Sequence, residues 1–484
     1  MMLPIGPYRP DLAETNAGVS RRVVNVNPRR DGSGVSYHPR RSFQIPATAE
    51  ALPSGPRGGF AVVSRSGQFK GYFGTETALF ELGPDYGYDE IGSGYVLPSQ
   101  DQWGFCQYGD MLLASNGFDG LHAFNIEAGG AVTLIPAAPR AKMLFTAFEC
   151  VFALDCNGNE YLMRNSAIGD FTNWSTRGAG GQEFPDGEAL IGGGTLNDGT
   201  AAVLQRAAIH LLSVTGDARV YSKVKVADGI GAVSARSIVQ APGALYFLDS
   251  SGFYRLTSAG IDPIGQDKVN RTFVAELGQD ALRTVEGAYD PERRQVAWRY
   301  KSEAVSSDTV FQNILIYDIA ANEFVRVEET TTALLRMSSP ALALEDLDQF
   351  GSLDELPYSL DSEAWKGGRP RLAALSDTFR FGFFDGPTLA ARLDTATLTN
   401  AKSMRFRSVL PTTDAAGVTV SLGLRSRLAD SPAWRPPVGT AASGRAPVSG
   451  RGKAATLRLQ IPAGDLWTYA RGVEEIEMTE GGGR

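Results

Sequence analysis

The segment Gly243–Gly265, GALYFLDSSGFYRLTSAGIDPIG, alternates short apolar runs with clusters of turn residues. The run Ala244–Leu248 stops at Asp249-Ser-Ser-Gly252, and the run Phe253–Leu256 stops at Thr257-Ser-Ala-Gly260. A third run, from Ile261, is stopped by Pro263 and Gly265. Strands of about 4–6 residues cut by Ser, Gly and Asp predict an antiparallel meander. Ala244–Leu248 has no polar alternation, so it is expected as an inner strand covered on both faces. One such hairpin cannot bury its own apolar side, and the chain repeats the pattern. GFAVVSRSGQFKGYFGTETALFEL reads as three strands around turns at Ser66-Gly67 and Gly74-Thr75. DMLLASNGFDGLHAFNI pivots on Asn116-Gly117 and FECVFALDCNGNEYLM on Asn157-Gly158. Both dipeptides predict a two-residue type I′ hairpin, because Asn and Gly tolerate positive φ. AAVLQRAAIHLLSVTG and a long hairpin, YDPERRQVAWRYKS to NILIYDIAANEFVRVEE, extend the series.

The turn signals fall near 67, 117, 158, 206, 250 and 292, with a further unit around 375. Spacings of 41 to 50 residues, each holding about four short strands, are how a β-propeller reads. We expect an all-β chain with a propeller of six or seven blades; a large β-sandwich or a β-helix is the competing architecture. Neither Trp-Asp nor Gly-His recurs as a blade signature. Short helices are expected near Val274–Val285 and around the connector at 343–365.

Four regions follow. Residues 1–45 read as an N-terminal arm with Arg pairs at 21–22, 29–30 and 40–41 and one strand, Val23–Val26, halted by Pro28. Residues 46–342 form the propeller body. Residues 343–387 hold an acidic connector, with Leu347-Asp348, Leu353-Asp354 and Leu360-Asp361, and the closing propeller strands. Residues 388–484 form a C-terminal β-sandwich-like domain. There Val418, Val420, Leu422, Leu424 and Leu428 alternate with Thr419, Ser421, Arg425 and Arg427. Met404 and Phe406 alternate with Arg405 and Arg407, and Leu457, Leu459 and Ile461 with Arg458 and Gln460. Period two puts the arginines on a wet face. The polar stretch at 435–453 reads as a loop that is mobile in the isolated protein.

Gly (55) and Pro (26) together make about a sixth of the 484 residues, which suits a turn-rich fold. No run of 18 apolar residues predicts a membrane span, and the first residues lack the pattern of a secretory signal. Charge is uneven. Residues 388–484 carry 13 Lys/Arg against 8 Asp/Glu (+5), so residues 1–387 hold 33 against 46 (−13). An acidic body argues against a general nucleic-acid binder, while a basic C-terminal region suits contact with acidic neighbours. Arg405, Arg407, Arg425, Arg427 and Arg458 are therefore the candidate partner interface.

Catalytic motifs are missing. Cys106, Cys150 and Cys156 lack Cys-x2-Cys spacing and read as buried free thiols in a reducing compartment. His38, His122 and His210 are scattered, with no His-Glu-x-x-His. His210 lies in an apolar strand and reads as a core histidine. Gly92-Ser-Gly94 and Gly192-Gly-Gly194 lack the rest of a phosphate-cradling fingerprint. Asp155, Asn157 and Asn159 have the opening spacing of a calcium loop, but the sixth and twelfth positions are Glu160 and Ser166 where Gly and Glu are needed. A hairpin turn accounts for all three. No enzyme, cofactor or metal is expected.

Three segments resemble the tail hub or nozzle proteins of tailed bacteriophages, including the packaged-DNA stabilisation family. They are VVNVNPRRDG near the N-terminus; GEALIGGGTLNDGTAAVLQRAAIHLLSVTG with the downstream GIGAVSARSIVQAPGALYFLDSSGFYRL and GIDPIGQDKV; and the connector with Trp365, followed by LAALSDTFRFGFFDGPTLAARLDT, MRFRSVLP and LRLQIPAGDLWTYARGVEEIEM. The resemblance spans most of the chain, is loosest in the first segment and carries no catalytic residue. It implies a β-propeller with an added β domain in a virion structural protein. Such a protein is made in the host bacterial cytoplasm and built into the tail. Six copies, typically, would ring the DNA exit channel below the portal and adaptor and help retain packaged DNA. Double-stranded DNA would pass without sequence-specific contacts, past an acidic body that avoids phosphate drag. A glycan-binding propeller of an adhesin or fibre, and a propeller glycosidase with paired carboxylates, are the alternatives.

Overall fold

The computed structural model describes residues 3–13, 18–32, 34–65, 67–98, 101–197, 199–215, 220–278, 280–302, 311–338 and 369–480. The fold is nearly all β, and its repeating unit is the four-stranded antiparallel meander. Five such sheets occupy 59–93, 104–134, 141–183, 190–228 and 239–263, and a sixth set of four strands lies between Glu286 and Thr331. These are the six four-stranded blades of a β-propeller. A three-stranded sheet, Ala333–Met337, Arg371–Leu375 and Phe381–Phe383, packs between the sixth blade and the first and closes the circle. Gln44 bridges Phe383 and Ala51 bridges Arg380, so chain from before the first blade runs along the outer edge of that closing sheet. Ends of the ring far apart in sequence are thereby joined by backbone hydrogen bonds.

The fifth blade shows why the meander needs neighbours. Ala244–Asp249 is buried along its whole length, paired on one side with Val239–Ala241 and on the other with Gly252–Thr257. Leu245 and Phe247 pack with Leu204 and Ile209 of the fourth blade, while Tyr246 lies 5.9 Å, ring to ring, from Tyr317 of the sixth. The glycine run belongs to this packing and not to a phosphate loop. Gly192, Gly193 and Gly194 sit in Leu190–Asn197, the first strand of the fourth blade. A Cβ on Gly193 would fall 2.7 Å from the Phe145 ring of the third blade and 2.6 Å from the Ala202 carbonyl oxygen. Only bare backbone lets the two blades approach this closely.

Asn157 and Gly158 both take positive φ, 55° and 78°, as a type I′ turn requires. The Asn116-Gly117 turn differs: the loop runs 116–120 between Met111–Ser115 and Leu121–Asn125. Buried Asn116 turns the chain by accepting from the Phe118 and Asp119 amides. Among the described residues, helices are confined to Asn270–Leu277 and the short segments Ala235–Ser237 and Asp280–Thr284. The expected helical connector at 343–365 lies outside the described residues.

The described strands of the N-terminal segment are paired into the body. Leu3–Pro4 pairs with the last strand, Ala470–Glu480, and Val23–Val24 pairs with both Glu323–Thr331 of the sixth blade and Ala391–Asp394. Pro28 does not halt a strand; it sits inside Val26–Asp31, which forms a hairpin with Gly34–Pro39. The C-terminal strands Leu398–Thr413, Thr419–Arg425, Gly450–Ile461 and Ala470–Glu480 continue this arrangement. Sixth blade, N-terminal strands and C-terminal unit form one fifteen-stranded sheet. That sheet wraps around a single core, which gives the sandwich-like packing: Met404, Phe406, Val420, Leu457, Val473, Tyr37, Ile5 and Trp298 belong to one cluster. Most of the stretch at 435–453 is exposed, but Ala446 and Val448 are buried and Val409 bridges Ala446, which fixes its second half to the body.

Candidate functional site

The C-terminal arginines divide into two groups with different surroundings. Alternation holds in Leu398–Thr413: Met404 and Phe406 are buried while Arg405 and Arg407 are exposed. Antiparallel register places Arg405 directly opposite Arg451, with exposed Lys453 two residues further along that strand. Like charges opposed across strands repel, so this face is a basic patch. Glu477 tempers it weakly, 3.9 Å from Arg407. Arg451 and Lys453 were hidden in the sequence because they start a strand whose first half reads as loop.

Arg425 and Arg458 are not on that wet face. Thr419–Arg425 is almost wholly buried, because its paired strand Gly450–Ile461 and the short Ala433–Trp434 and Val438–Gly439 strands flank it. Arg425 is buried and donates to the Leu428 carbonyl at 3.1 Å and to Thr397 Oγ1 at 3.2 Å. Arg458 is half-buried. Its Nε and Nη2 grip the two Asp394 oxygens at 2.6 and 2.7 Å, and its guanidinium lies 3.7 Å from the Trp434 ring centre. Arg427 is exposed in the turn that follows the strand, and Leu428, expected inside, is 42% exposed beside it. The strand ends at Arg425, so the period-two pattern stops there.

Arg425 and Arg458 line a cleft of about 470 Å³ where the C-terminal unit meets three other parts of the chain. The N-terminal segment contributes Tyr8, Arg21 and Arg22; the sixth blade contributes Arg326 and Glu328; the helix Asn270–Leu277 contributes Glu276. Arg21 and Arg22 are exposed at the rim, and Tyr8 is buried, which pushes its hydroxyl up to about 12. Glu276 pairs with Arg326 at 3.2 Å. The Arg22 guanidinium, only partly covered, is held below its usual value, first by that partial desolvation and then by Arg392 and Arg458, against the pull of Asp394 and Glu328. Arg21, Arg22 and Arg326 lay outside the expected interface, since no local pattern reveals that three distant segments meet.

The other candidates have local roles. His122 lies edge-on to Tyr95 at 4.9 Å and His210 to Phe184 at 5.0 Å, both buried within blades. Asp155 pairs with Lys142 at 3.3 Å, Asn157 accepts from the Arg140 amide, and Asn159 accepts from the Tyr161 amide. All three cysteines are free and buried, and burial pushes the Cys150 thiol up to about 11. Among the described residues, no helix is long and apolar enough to cross a membrane.

No family model and no curated protein matches the chain. Solved structures similar to it are propellers of varied kinds. The β-propeller domain of Myceliophteria thermophila Cps50 (Swd1) is 12% identical, with 70% of this chain and 98% of that chain covered and a TM-score of 0.41. BBS1N, solved in complex with ARL6DN, is 10% identical over 71% of this chain and 96% of that one, with a TM-score of 0.40. A quinonprotein alcohol dehydrogenase-like protein from Bacteroides thetaiotaomicron is 12% identical over 56% and 67%, with a TM-score of 0.36. These likenesses concern fold alone.

Proposed function

We propose that this chain is a non-catalytic structural subunit of a tailed-bacteriophage tail, a hub or nozzle protein acting as a ring of copies around the DNA exit channel. The reading rests on the sequence resemblance. The observation that supports it is the continuous fifteen-stranded sheet joining the sixth blade, the N-terminal strands and the C-terminal unit. A subunit that holds its place while DNA moves past needs its parts locked together. Here the lock is backbone pairing on both sides of Val23–Val24 in place of a flexible tether. The basic patch of Arg405, Arg407, Arg451 and Lys453 offers a surface for acidic neighbours; Arg427 stands exposed nearby in sequence. The bulk acidic body suits a conduit that does not retain phosphate.

Light scattering on the purified protein tests the reading. Ring formation predicts a mass several times the 51.8 kDa of one chain. Arg405→Glu combined with Arg407→Glu should reduce that mass and leave the melting temperature unchanged. A chain that stays monomeric at every concentration, or a double variant that assembles as well as wild type, contradicts the proposal.

A further inference from the structure

The outer edge of the first blade is opposite in charge to the basic face of the C-terminal strands. The hairpin of Ala78–Leu82 with Tyr88–Ser93 holds Glu81, Asp85, Asp89 and Glu90, with no Lys or Arg between residues 78 and 93. The strands that carry Arg405, Arg407, Arg451 and Lys453 hold no Asp or Glu. Antiparallel register sets Asp89 directly opposite Glu81, a like-charge pair of the kind that Arg405 makes with Arg451. Lys70 holds Glu81 at 3.1 Å, but Asp89 and Glu90 are exposed, and among the described residues no ion pair reaches them. Glu90 lies opposite Phe80, so the two carboxylates stand on different faces of the strand and flank its outer edge. Among the described residues that edge has no strand beside it. The other blades offer no such edge. Asp262 of the fifth is paired with Arg255 at 2.6 Å, and Glu183 of the third accepts from Asn159. The fourth carries Lys223 and Lys225, the second ends in uncharged Thr133–Leu134, and the sixth is paired with Val23–Val24.

We propose that the acidic outer edge of the first blade docks on the basic face of a second copy of this chain, with Asp89 and Glu90 set against Arg405, Arg407, Arg451 and Lys453. The inference rests on the assembly proposed above and names the surface that its basic patch meets. Each surface relieves the like-charge opposition in the other, and guanidinium forks match carboxylates through paired N–H donors. The two patches are different parts of one chain, so the contact runs head to tail. Such a contact builds a ring when its rotation closes. A two-fold contact of either patch with itself would instead set like charges face to face.

The test is light scattering on the full chain, with the melting temperature measured beside it. Asp89→Lys combined with Glu90→Lys should fall to the 51.8 kDa of one chain at an unchanged or higher Tm, because the opposition to Glu81 is removed. Asp89→Asn with Glu90→Gln, which adds no charge, should raise the concentration of half-assembly about tenfold. Adding Arg405→Glu and Arg407→Glu to the first pair should recover a mass above one chain, since the reversed groups again face their opposites. Wild-type assembly by both first-blade variants, while Arg405→Glu with Arg407→Glu dissociates, would overturn this docking and leave the ring to another acidic surface. A fourfold variant that stays at one chain would show that the two surfaces do not meet. Assembly that appears only with added duplex DNA would assign the basic face to phosphate and overturn the docking. A wild type that is monomeric at every concentration would end both proposals.

Discussion

Ile5→Ala probes whether the N-terminal segment is part of the folded body. Ile5 is 0% exposed, and its amide donates to the Arg471 carbonyl at 2.8 Å. Its side chain belongs to the same core as Tyr37, Val473 and Trp298. The substitution removes three carbons, worth about 2.4 kcal/mol at roughly 0.8 kcal/mol each. The cavity left between paired strands adds to this, for a total of about 3–4 kcal/mol. With an unfolding entropy of about 2.1 cal/mol/K per residue, the whole chain should lose about 3 °C in Tm. Calorimetry should show one transition moved as a unit, because the core holding Ile5 also holds fifth- and sixth-blade residues. A loss below about 0.5 kcal/mol, the scatter of a surface substitution, would mean that residues 1–45 hang free. A shifted minor transition beside an unshifted major one would mean that the propeller does not feel them.

Asp394→Ala strands the Arg458 charge and should cost about 3 kcal/mol in urea unfolding; adding Arg458→Met should recover most of that loss, and no recovery would show that the pair was not the cause. His38, His122 and His210 are all held below 6.5, first by burial. The unfolded chain therefore takes up protons that the fold refuses, so stability should fall as pH drops below 6.5. His210→Gln should flatten that slope between pH 7.5 and 5.5, and an unchanged slope would contradict the assignment. Gly193→Ala drives a methyl into Phe145 and the Ala202 carbonyl and should cost about 1–3 kcal/mol; a neutral result would mean that the blades separate without penalty.

The blades were legible because each is local: an apolar run, a turn and another run, all within about 40–50 residues. The unit expected near 375 proved to be the closing sheet, and the type I′ turn at Asn157-Gly158 follows from two residues. The N-terminal segment was misread because its strands are short and earn their place from distant partners. Val23–Val24 is two residues long, yet it pairs with residues some 300 and 370 positions away. Pro28 reads as a stop only if its amide is needed for a ladder. The placement of the candidate interface arginines was legible only in part. Alternation located Arg405 and Arg407 correctly, where one face of the strand is open. It failed at Arg425 and Arg458, because further strands and the N-terminal segment cover the face that period two marks as wet.

Electron microscopy of the purified protein tests the central functional claim most directly. The account predicts rings with an open central channel, in which the propeller and its fused C-terminal unit keep one fixed relation in every subunit. Isolated single propellers at all concentrations, or subunits whose C-terminal unit swings relative to the propeller, would contradict it.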